Sequence, residues 1–501
     1  MSTSTQLGGH LDEVVDLTVR HHMDVAALVR ERLITRFEID DRKPTRAEDR
    51  VAMLQEAFAV RSPMRESTNG RSHDICPLHC ARAVETRDST HAAMLPQTRH
   101  RAAGSIRSEH IPSRGKPMPV NLAEMRPPRT RRIAVIAGYA PSLVLFRGPL
   151  LRTLVTAGHD VVALAPPAPK WTERIESLGV TFHPVPFSRA GVDPLGDLRA
   201  ARVIEALLRR ERLDTVLAYT IKPVVIGIPA AARTGASVRV ALVTGLGYTF
   251  GTENARQRAV GVAARWLYRR ALRSATAVLF QNPDDRSEFV HRGLVAEAKV
   301  DVVSGSGVDL DRFPFSDPPS RPGVRFLLIA RLLVDKGIRE YVQAARTLRP
   351  EHPDWEFHLV GPSDPNPMAI TDAELATWQA EGVVTIHPAT DDVRPHLAAC
   401  GVYVLPSYRE GTPRTVLEAM ATGRPIITTD APGCRETTTD GDNGLVVPVK
   451  DVQSLVAAMR RLGLDPTLRS RMGRRSREIA EQTYDVRTVN QDMMRAMELV
   501  T

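Results

Sequence analysis

Short apolar runs alternate with helical stretches along most of the chain, from Arg131 to the C-terminus. The runs are continuously apolar, which is typical of parallel strands that are buried on both faces. The stretches between them repeat their apolar residues at helical spacing, so helices are predicted between the strands. This order of elements predicts an α/β chain of doubly wound, Rossmann-like units.

The first unit is predicted to span residues 130–312. A parallel sheet needs a crossover between successive strands, and the predicted helices supply these crossovers. The strands are predicted at residues 133–137, 161–165, 181–185, 215–218, 238–243, 277–280 and 300–303, and helices at residues 149–157, 195–212 and 256–272.

A segment rich in glycine and proline follows, and it separates two units. Such residues block both helices and strand ladders, so residues 313–324 are predicted to be an interdomain linker. The second unit is predicted over residues 325–478, and a C-terminal helix over 479–501 is expected to return to the first unit. Its strands are predicted at 325–330, 356–360, 383–386, 402–405, 425–428 and 445–447, and its helices include 339–348, 391–400, 415–422 and 452–462. Two such units facing a cleft place ligands at the carboxyl ends of the strands.

Residues 1–129 lack this pattern and are predicted to be a poorly structured, largely disordered extension. Residues 11–61 could form two amphipathic helices, but residues 62–130 are rich in Arg, Ser, Pro and His without periodicity. His73, Cys76, His79 and Cys80 lack a second ligand pair at zinc spacing, so no metal site is predicted there. An alternative is that translation starts at Met118 or Met125 and that residues 1–117 are not part of the natural protein.

The formal net charge of +9 invites a nucleic-acid interpretation, but the excess of basic residues is densest in residues 61–129. The rest of the chain has few aromatic side chains on which bases could stack, so no nucleic-acid partner is predicted. Four cysteines fit a reducing compartment. We find neither a signal peptide nor an apolar run long enough to cross a bilayer. These features predict a cytoplasmic protein whose membrane contact is at most peripheral.

Neither unit carries a Gly-x-Gly-x-x-Gly turn after its first strand, and no Gly-x4-Gly-Lys-Ser/Thr loop occurs. Dinucleotide oxidoreduction and P-loop phosphoryl transfer therefore lose their main support. Two cations, Arg331 and Lys336, instead follow the first predicted strand of the second unit, where they could bind both phosphates of a diphosphate. By itself this spacing also fits two surface charges in front of a helix.

A second element runs from the strand at 402–405 through a turn into a helix that is predicted to begin near Pro413. Thr412 is expected to cap this helix and Pro413 to occupy its first position. The backbone N–H groups of residues 414–416 would then form an anion site at the helix N-terminus. Glu410 precedes the turn and Glu418 follows in the helix, so the two carboxylates could accept hydrogen bonds from hydroxyls at different depths. Alternatively, Glu418 is a surface charge, and Glu410 pairs with a neighbouring arginine.

These motifs together resemble the retaining glycosyltransferases of family 4, which have the two-domain GT-B fold. The resemblance covers about residues 131–501 and rests on the Arg-x4-Lys pair, the Glu-x7-Glu element, the segment 423–436 and Asp440-Gly-Asp-Asn-Gly444. Segments 146–150, 244–247, 280–285, 305–309 and 406–418 are similar to the branch that adds N-acetylhexosamines to lipid-diphosphate-linked sugars.

The resemblance implies a role for each matching residue. Arg331 and Lys336 would bind the donor diphosphate and stabilise the leaving charge, and the helix N-terminus at Thr415 and Val416 would bind the distal phosphate. Glu418 would accept the ribose hydroxyls of a UDP-sugar, and Glu410 the hydroxyls of the donor sugar. The implied catalytic residues are Arg331, Lys336 and Glu410, the implied donor site adds Gly411, Thr412, Thr415, Val416 and Glu418, and the acceptor-side candidates are Gly138, Arg147, Gly245 and Gly247. No cofactor and no metal are implied, and the acceptor would be a polyprenyl-diphosphate-linked saccharide.

Two departures from the family pattern bear on mechanism. Many members place a histidine near the reacting carbon, but the corresponding stretch here, residues 244–247, contains none. This difference favours a front-face reaction in which the leaving phosphate assists the acceptor. Residues 386–389, Ile-His-Pro-Ala, also stand where members often have a glycine, which weakens the inference about the nucleobase.

Three other functions fit parts of the sequence. Paired carboxylates suit a glycoside hydrolase, but a diphosphate-binding cation pair has no use there. A nucleotide-sugar epimerase could share the fold, and a regulatory or nucleic-acid binder could use the basic N-terminal region.

A predicted helix at residues 256–273 aligns arginines beside apolar side chains. Such a helix could lie on anionic lipid, or it could be an ordinary packed helix with a solvated charged stripe. The arginines are Arg258, Arg265, Arg269 and Arg273, and the apolar residues are Trp266 and Leu267. A lipid-linked acceptor favours the first interpretation, with the protein at the inner face of the cell membrane.

Overall fold

The computed structural model describes residues 130–187, 193–245, 255–364, 366 and 368–500. The predictions for residues 1–129, which comprise the disordered extension, the alternative starts and the His73 to Cys80 cluster, lie outside the described residues. The described residues belong to one compact unit, within which two parallel sheets form a first domain and a second domain.

The first sheet has seven parallel strands among the described residues, in the order β3-β2-β1-β4-β5-β6-β7. They are β1 (Arg132–Ala137), β2 (Asp160–Ala165), β3 (Thr181–Pro184), β4 (Thr215–Tyr219), β5 (Val238–Val243), β6 (Ala277–Phe280) and β7 (Val300–Val302). The strand order reverses direction beside β1, where Ile133 lies between Val161 and Thr215. Such a reversal opens a crevice at the carboxyl ends of the strands, so the loops after β1 and β4 to β6 line the cleft.

Helices cover both faces of this sheet, which explains why its central strands are mainly apolar and buried. They are α1 (Pro141–Leu145), α2 (Gly148–Thr156), α3 (Pro169–Glu176), α4 (Pro194–Arg210), α5 (Ile221–Arg233), α6 (Ala255–Leu272) and α7 (Pro283–His291). One face packs on Ile204, Ile228 and Phe289. The opposite face packs on Leu151 and Ile175, so the sheet separates two cores.

The second sheet has six parallel strands in the described chain, in the order β10-β9-β8-β11-β12-β13. They are β8 (Arg325–Ile329), β9 (Glu356–Val360), β10 (Thr385–His387), β11 (Val402–Leu405), β12 (Ile426–Thr429) and β13 (Gly444–Val447). The helices around them are α8 (Ile338–Leu348), α9 (Asp372–Ala380), α10 (Arg394–Ala399), α11 (Arg414–Ala421), α12 (Val452–Leu464) and α13 (Pro466–Thr483). The fold class predicted from the sequence, two Rossmann-like domains, is confirmed.

The chain passes between the domains twice, and the two passages bond to each other. Val308, in the first passage, donates its N–H to Tyr484 O (2.7 Å) and accepts from Val486 N–H (3.0 Å). Gly307 lies beside this bridge with φ +68°, and a Cβ there would lie 2.6 Å from Val486 Cα. Only glycine combines that backbone conformation with such a close approach.

The last helix, α14 (Val486–Ala496), packs on the first domain. Its Met493 and Met494 join the same core as Leu151. The predicted boundary at residue 478 lies inside α13, because that helix continues to Thr483. The segment that packs on the first sheet therefore begins at Val486.

The linker is anchored to the second domain. Phe313 is buried in the core of that domain, and the fully buried Arg424 donates to Ser316 Oγ and to Leu397 O. A buried guanidinium needs such acceptors because an unpaired one would be strongly destabilising. Residues of the predicted linker therefore pack as part of the second domain.

One edge of the second sheet carries a buried histidine whose protonation opposes folding. His358 on β9 is 8% exposed and lies 2.8 Å from His387 Nε2 and 3.1 Å from Glu356 Oε2. Burial, and then the charge of Arg325, lower the pKa of His358 to about 4.

We expect the free energy of unfolding to fall as the pH drops from about 6.5 to about 4. In this window the unfolded chain takes up a proton on His358 and the folded chain does not, so protons favour unfolding by about 1 to 3 kcal/mol. Urea unfolding at a series of pH values measures this loss. The His358→Gln variant should show a flatter profile between pH 6.5 and 4, and an unchanged profile would contradict the assignment.

Candidate functional site

The two predicted phosphate-binding cations follow β8, at the carboxyl edge of the second sheet. Arg331 is exposed, and its Nη1 lies 3.0 Å from Asp364 Oδ2. Lys336 ends a short 3-10 turn and is followed by Gly337, whose φ is +70°. A Cβ on Gly337 would overlap the backbone of Pro406, so glycine lets the turn carrying Lys336 approach the loop after β11.

That loop carries Glu410, and the structure brings Glu410 and Lys336 together. Lys336 Nζ lies 2.6 Å from Glu410 Oε1, and Ser407 Oγ donates to the same oxygen at 2.8 Å. Burial alone would lower the pKa of Lys336, but the charges of Glu410 and Asp335 outweigh it and raise that pKa. Lys336 is therefore a protonated cation, and its present counter-ion is Glu410.

Helix α11 begins at Arg414, next to the predicted start, but its cap differs from the predicted one. Pro413 is the N-cap residue, and no side chain caps the helix. The prediction that Thr412 caps α11 is wrong: Thr412 Oγ1 donates instead to Gln281 O in the first domain, at 2.8 Å. The reason is that Thr412 lies against the first domain, which offers its hydroxyl a carbonyl.

The N-terminus of α11 still presents backbone donors to the cleft. Val416 N–H bonds Pro413 O at 3.0 Å, so the amide of Val416 is occupied in this structure. The amides of Arg414 and Thr415 make no hydrogen bond with any described residue. A helix start with free N–H groups attracts anions.

Glu418 lies one turn further into α11 and is 6% exposed. Its Oε1 lies 2.8 Å from Arg414 Nε. Burial raises the pKa of Glu418, and the charge of Arg414 opposes that rise. Each of the two predicted carboxylates thus has its own cation, so Glu410 does not pair with a neighbouring arginine.

Three of the acceptor-side candidates, Gly138, Arg147 and Gly245, lie in loops of the first domain. Gly138 follows β1, and a Cβ there would lie 2.9 Å from Thr220 Oγ1. Gly245 follows β5 with φ +123° and lies close to the second domain. A Cβ added at Gly245 would lie 3.1 Å from Gly411 N. Gly247 lies outside the described residues.

Arg147 precedes α2 and is 2% exposed. Its guanidinium lies over the Tyr219 ring, and Nη1 contacts Met493 Sδ of α14 at 3.6 Å. Burial, with a smaller effect from the charge of Arg414, lowers the pKa of Arg147 to about 10. Arg147 therefore joins α14 to the first domain beside the N-terminus of α11.

The sequence did not identify a set of residues that joins the two domains. Asn282, which caps α7, also donates to Glu410 O (3.2 Å) and Gly411 O (3.0 Å). The buried Asp285 pairs with Arg409. The motif Asn-Pro-Asp-Asp at 282–285 was a signal for a capped helix, but nothing in it identifies a partner more than 120 residues away along the chain.

Two family models match the two domains separately. One, described as a glycosyl transferase 4-like domain, matches residues 147–305, and the other, described as glycosyl transferases group 1, matches residues 323–465. Together they extend over most of the described chain.

Two characterised transferases are similar to the chain in sequence. The N,N'-diacetylbacillosaminyl-diphospho-undecaprenol alpha-1,3-N-acetylgalactosaminyltransferase of Campylobacter jejuni is 28% identical over 74% of this chain and 99% of its own. The UDP-Gal:alpha-D-GlcNAc-diphosphoundecaprenol alpha-1,3-galactosyltransferase of Escherichia coli is 25% identical over 57% of this chain and 75% of its own. Both are transferases, so they give the epimerase alternative no support.

Solved structures share the two-domain fold. The Anabaena protein Alr3699/HepE, in complex with UDP and glucose, superposes with a TM-score of 0.61 at 18% identity, over 74% of this chain and all of the other. Sucrose-phosphate synthase from Thermosynechococcus elongatus gives a TM-score of 0.62 at 17% identity, over 74% and 98% of the two chains. Its two sheets face a common cleft, and a glycosyl transferase 4-like domain precedes a glycosyl transferases group 1 domain. The relatives named above transfer sugars. The chain therefore belongs to the glycosyltransferases and has the GT-B fold.

Proposed function

We propose that the chain is a retaining glycosyltransferase of family 4 that transfers a sugar from a UDP-sugar to a polyprenyl-diphosphate-linked saccharide. The sugar is an N-acetylhexosamine, and the reaction serves the assembly of a cell-envelope glycan. The observation that carries this proposal is the convergence of Lys336, Glu410 and the start of α11 at one edge of the second sheet.

This edge suits a nucleoside diphosphate-sugar. The protonated Lys336, the exposed Arg331 and the amides of Arg414 and Thr415 are donors for diphosphate oxygens. Cleavage of a sugar–diphosphate bond leaves negative charge on those oxygens, and preorganised cations there stabilise the transition state. Glu418 then binds the ribose hydroxyls.

The Lys336–Glu410 ion pair suggests how the free site is kept neutral. A diphosphate offers Lys336 a second anion, so donor binding shifts the ammonium towards phosphate and frees Glu410 Oε1 for the sugar hydroxyls. The two carboxylates do not resemble a hydrolase pair, because Glu410 and Glu418 are each bound to a cation in the free structure.

The retaining step follows a front-face course. The bond between the sugar C1 and the UDP oxygen breaks, the acceptor hydroxyl oxygen bonds C1 from the same side, and its proton passes to the leaving phosphate. Two observations support this course. Residues 244–247 contain no histidine, and Glu410 Oε1 already accepts from Lys336 and Ser407.

The acceptor class is inferred from the relatives. The C. jejuni and E. coli transferases are both named for acceptors that join a sugar to undecaprenol through a diphosphate. The E. coli transferase is also named for a UDP-sugar donor. A UDP-sugar donor and a lipid-linked saccharide acceptor are therefore the first substrates to test.

A lipid-linked acceptor requires contact with the membrane, and α6 supplies a surface for it. No helix in the described residues has the length and apolar character to cross a bilayer. On α6, however, Val262 and Trp266 are 60% and 62% exposed. The exposed Arg269, Arg270 and Arg273 follow on the same side without an ion pair to any described residue. Exposed apolar side chains beside arginines suit the interface of an anionic membrane, which is the inner face of the cell membrane.

Lys336→Ala is expected to lower turnover about 10²- to 10³-fold, because it removes one preorganised charge at the leaving group. Radiolabelled sugar transfer from a panel of UDP-sugars to membrane lipid extract measures turnover. Arg460→Ala is the matched control. Arg460 lies on α12 and forms an exposed ion pair with Glu351, so its loss should leave turnover unchanged. If Lys336→Ala keeps more than half the activity, the diphosphate assignment is wrong.

The two carboxylate variants should separate nucleotide from sugar. Glu418→Gln is expected to weaken binding of UDP and of the UDP-sugar alike, because the Glu418 carboxylate is proposed to bind the ribose hydroxyls that both ligands carry. Glu410→Gln should leave the UDP affinity within about threefold of wild type, since Lys336 stays free to bind phosphate. It should lower sugar transfer at least tenfold, because the carboxylate proposed to bind the sugar hydroxyls is lost. Titration calorimetry with both ligands distinguishes them, and equal losses for UDP would show that the roles are misplaced.

Substitution of Arg269 and Arg273 by Gln should weaken binding to anionic vesicles about 30-fold, at about 1 kcal/mol for each basic residue lost at the surface. Vesicle co-sedimentation at low and high salt tests this, because screening should reduce the difference. The matched control replaces Arg471 and Arg474 on α13 by Gln. Both arginines are exposed and form no ion pair with any described residue. An equal loss in the control would assign the binding to overall charge and not to α6.

A further inference from the structure

The segment Arg409–Thr412 of the second domain is held by the first domain. Gly411 lies so close to the end of β5 that a Cβ would overlap Thr244 O, and it would lie 2.6 Å from Gln281 Oε1. Thr412 donates to Gln281 O, after β6. The loop that carries Glu410 thus lies directly on two strand ends of the opposite domain.

Asn282 makes the most specific of these contacts, and its geometry fixes the orientation of its amide. Asn282 is fully buried, and its Oδ1 accepts from Asp285 N–H at 2.7 Å as the cap of α7. Because the oxygen is used for the cap, the NH₂ group must face the other way, towards Glu410 O and Gly411 O. An aspartate could cap α7 equally well, but it would set a carboxylate oxygen against two carbonyl oxygens.

A buried ion pair reinforces this contact one turn further along α7. Asp285 is fully buried, and its carboxylate accepts from Arg409 Nη2. Burial raises the pKa of Asp285, and the charge of Arg409 opposes that rise. Separation of the domains would break this pair and leave the Asp285 carboxylate without its cation. The pair therefore favours the closed arrangement in which Glu410 is held.

We propose that Asn282, Asp285 and Arg409 form an interdomain clamp that positions Glu410 for the donor sugar only when the two domains are closed. The three are positioning residues and need not touch the substrate. Since this rests on the proposed function of Glu410, the clamp should matter for sugar transfer and not for binding of UDP. The groups proposed to donate to the phosphates of UDP, and the Glu418 carboxylate proposed to accept from its ribose, all lie in the second domain.

The test uses the full chain with Asn282→Asp, which keeps the helix cap and loses the two donated hydrogen bonds. We expect the UDP affinity to stay close to wild type, kcat for sugar transfer to fall at least tenfold, and KM for the acceptor to change less than threefold. The melting temperature should fall, because the new carboxylate is buried without a hydrogen-bond donor. Ser287→Asp is the matched control, because it adds the same charge at an exposed position of α7. A kcat within twofold of wild type would overturn the clamp.

A second variant and a second measurement guard against misfolding and against a wrong function. Arg409→Ala should lower kcat, and Arg409→Lys should restore part of it, which a purely steric role would not predict. Hydrogen exchange at the amide of Glu410, which bonds Pro432 O, should accelerate at least tenfold in Asn282→Asp without any substrate present. If wild type transfers no sugar, the proposed function fails, and the exchange rate alone then decides the clamp: an unchanged rate overturns it.

Discussion

Glu410 is held at four points, and the site depends on that restraint. Its carboxylate accepts from Lys336 and Ser407, its N–H donates to Pro432 O, and its carbonyl accepts from Asn282 of the opposite domain. A partly buried ion pair is stable only when its remaining polar groups also find partners. The loop meets that condition by drawing on both domains, so the chemistry at the second sheet cannot be separated from the position of the first.

The division of charge explains why the site suits transfer better than hydrolysis. Lys336 neutralises Glu410, and Arg414 neutralises Glu418. A hydrolase uses one carboxyl group as an acid and leaves the other free to act on water, whereas here each carboxylate is bound to a cation. Under the proposed function, each carboxylate exchanges its cation for ligand hydroxyls once the diphosphate of the donor engages that cation.

The sequence predicts the two sheets closely because its strands are continuous apolar runs. The runs at 238–243, 277–280, 356–360 and 402–405 are strands with those bounds. The run at 383–386 is displaced to Thr385–His387 because pairing with β9 starts only at His358. The two predicted phosphate-binding cations and both glutamates could be singled out because they belong to local motifs. The cap of α11, the Asp285–Arg409 pair and the Asn282 contact could not, since they depend on how far the two domains approach, which no local pattern records.

The two passages of the chain between the domains form a bonded pair at Val308 and Tyr484–Val486. Two parallel connections tied together resist pulling apart and shearing, but they still permit rotation about the line that joins them. The two connections therefore act together as a hinge between the domains. We expect an opening of the cleft to be a rotation about this line, which would separate the far edges of the cleft most. Cutting either passage would leave one connection and allow the domains to move in more directions.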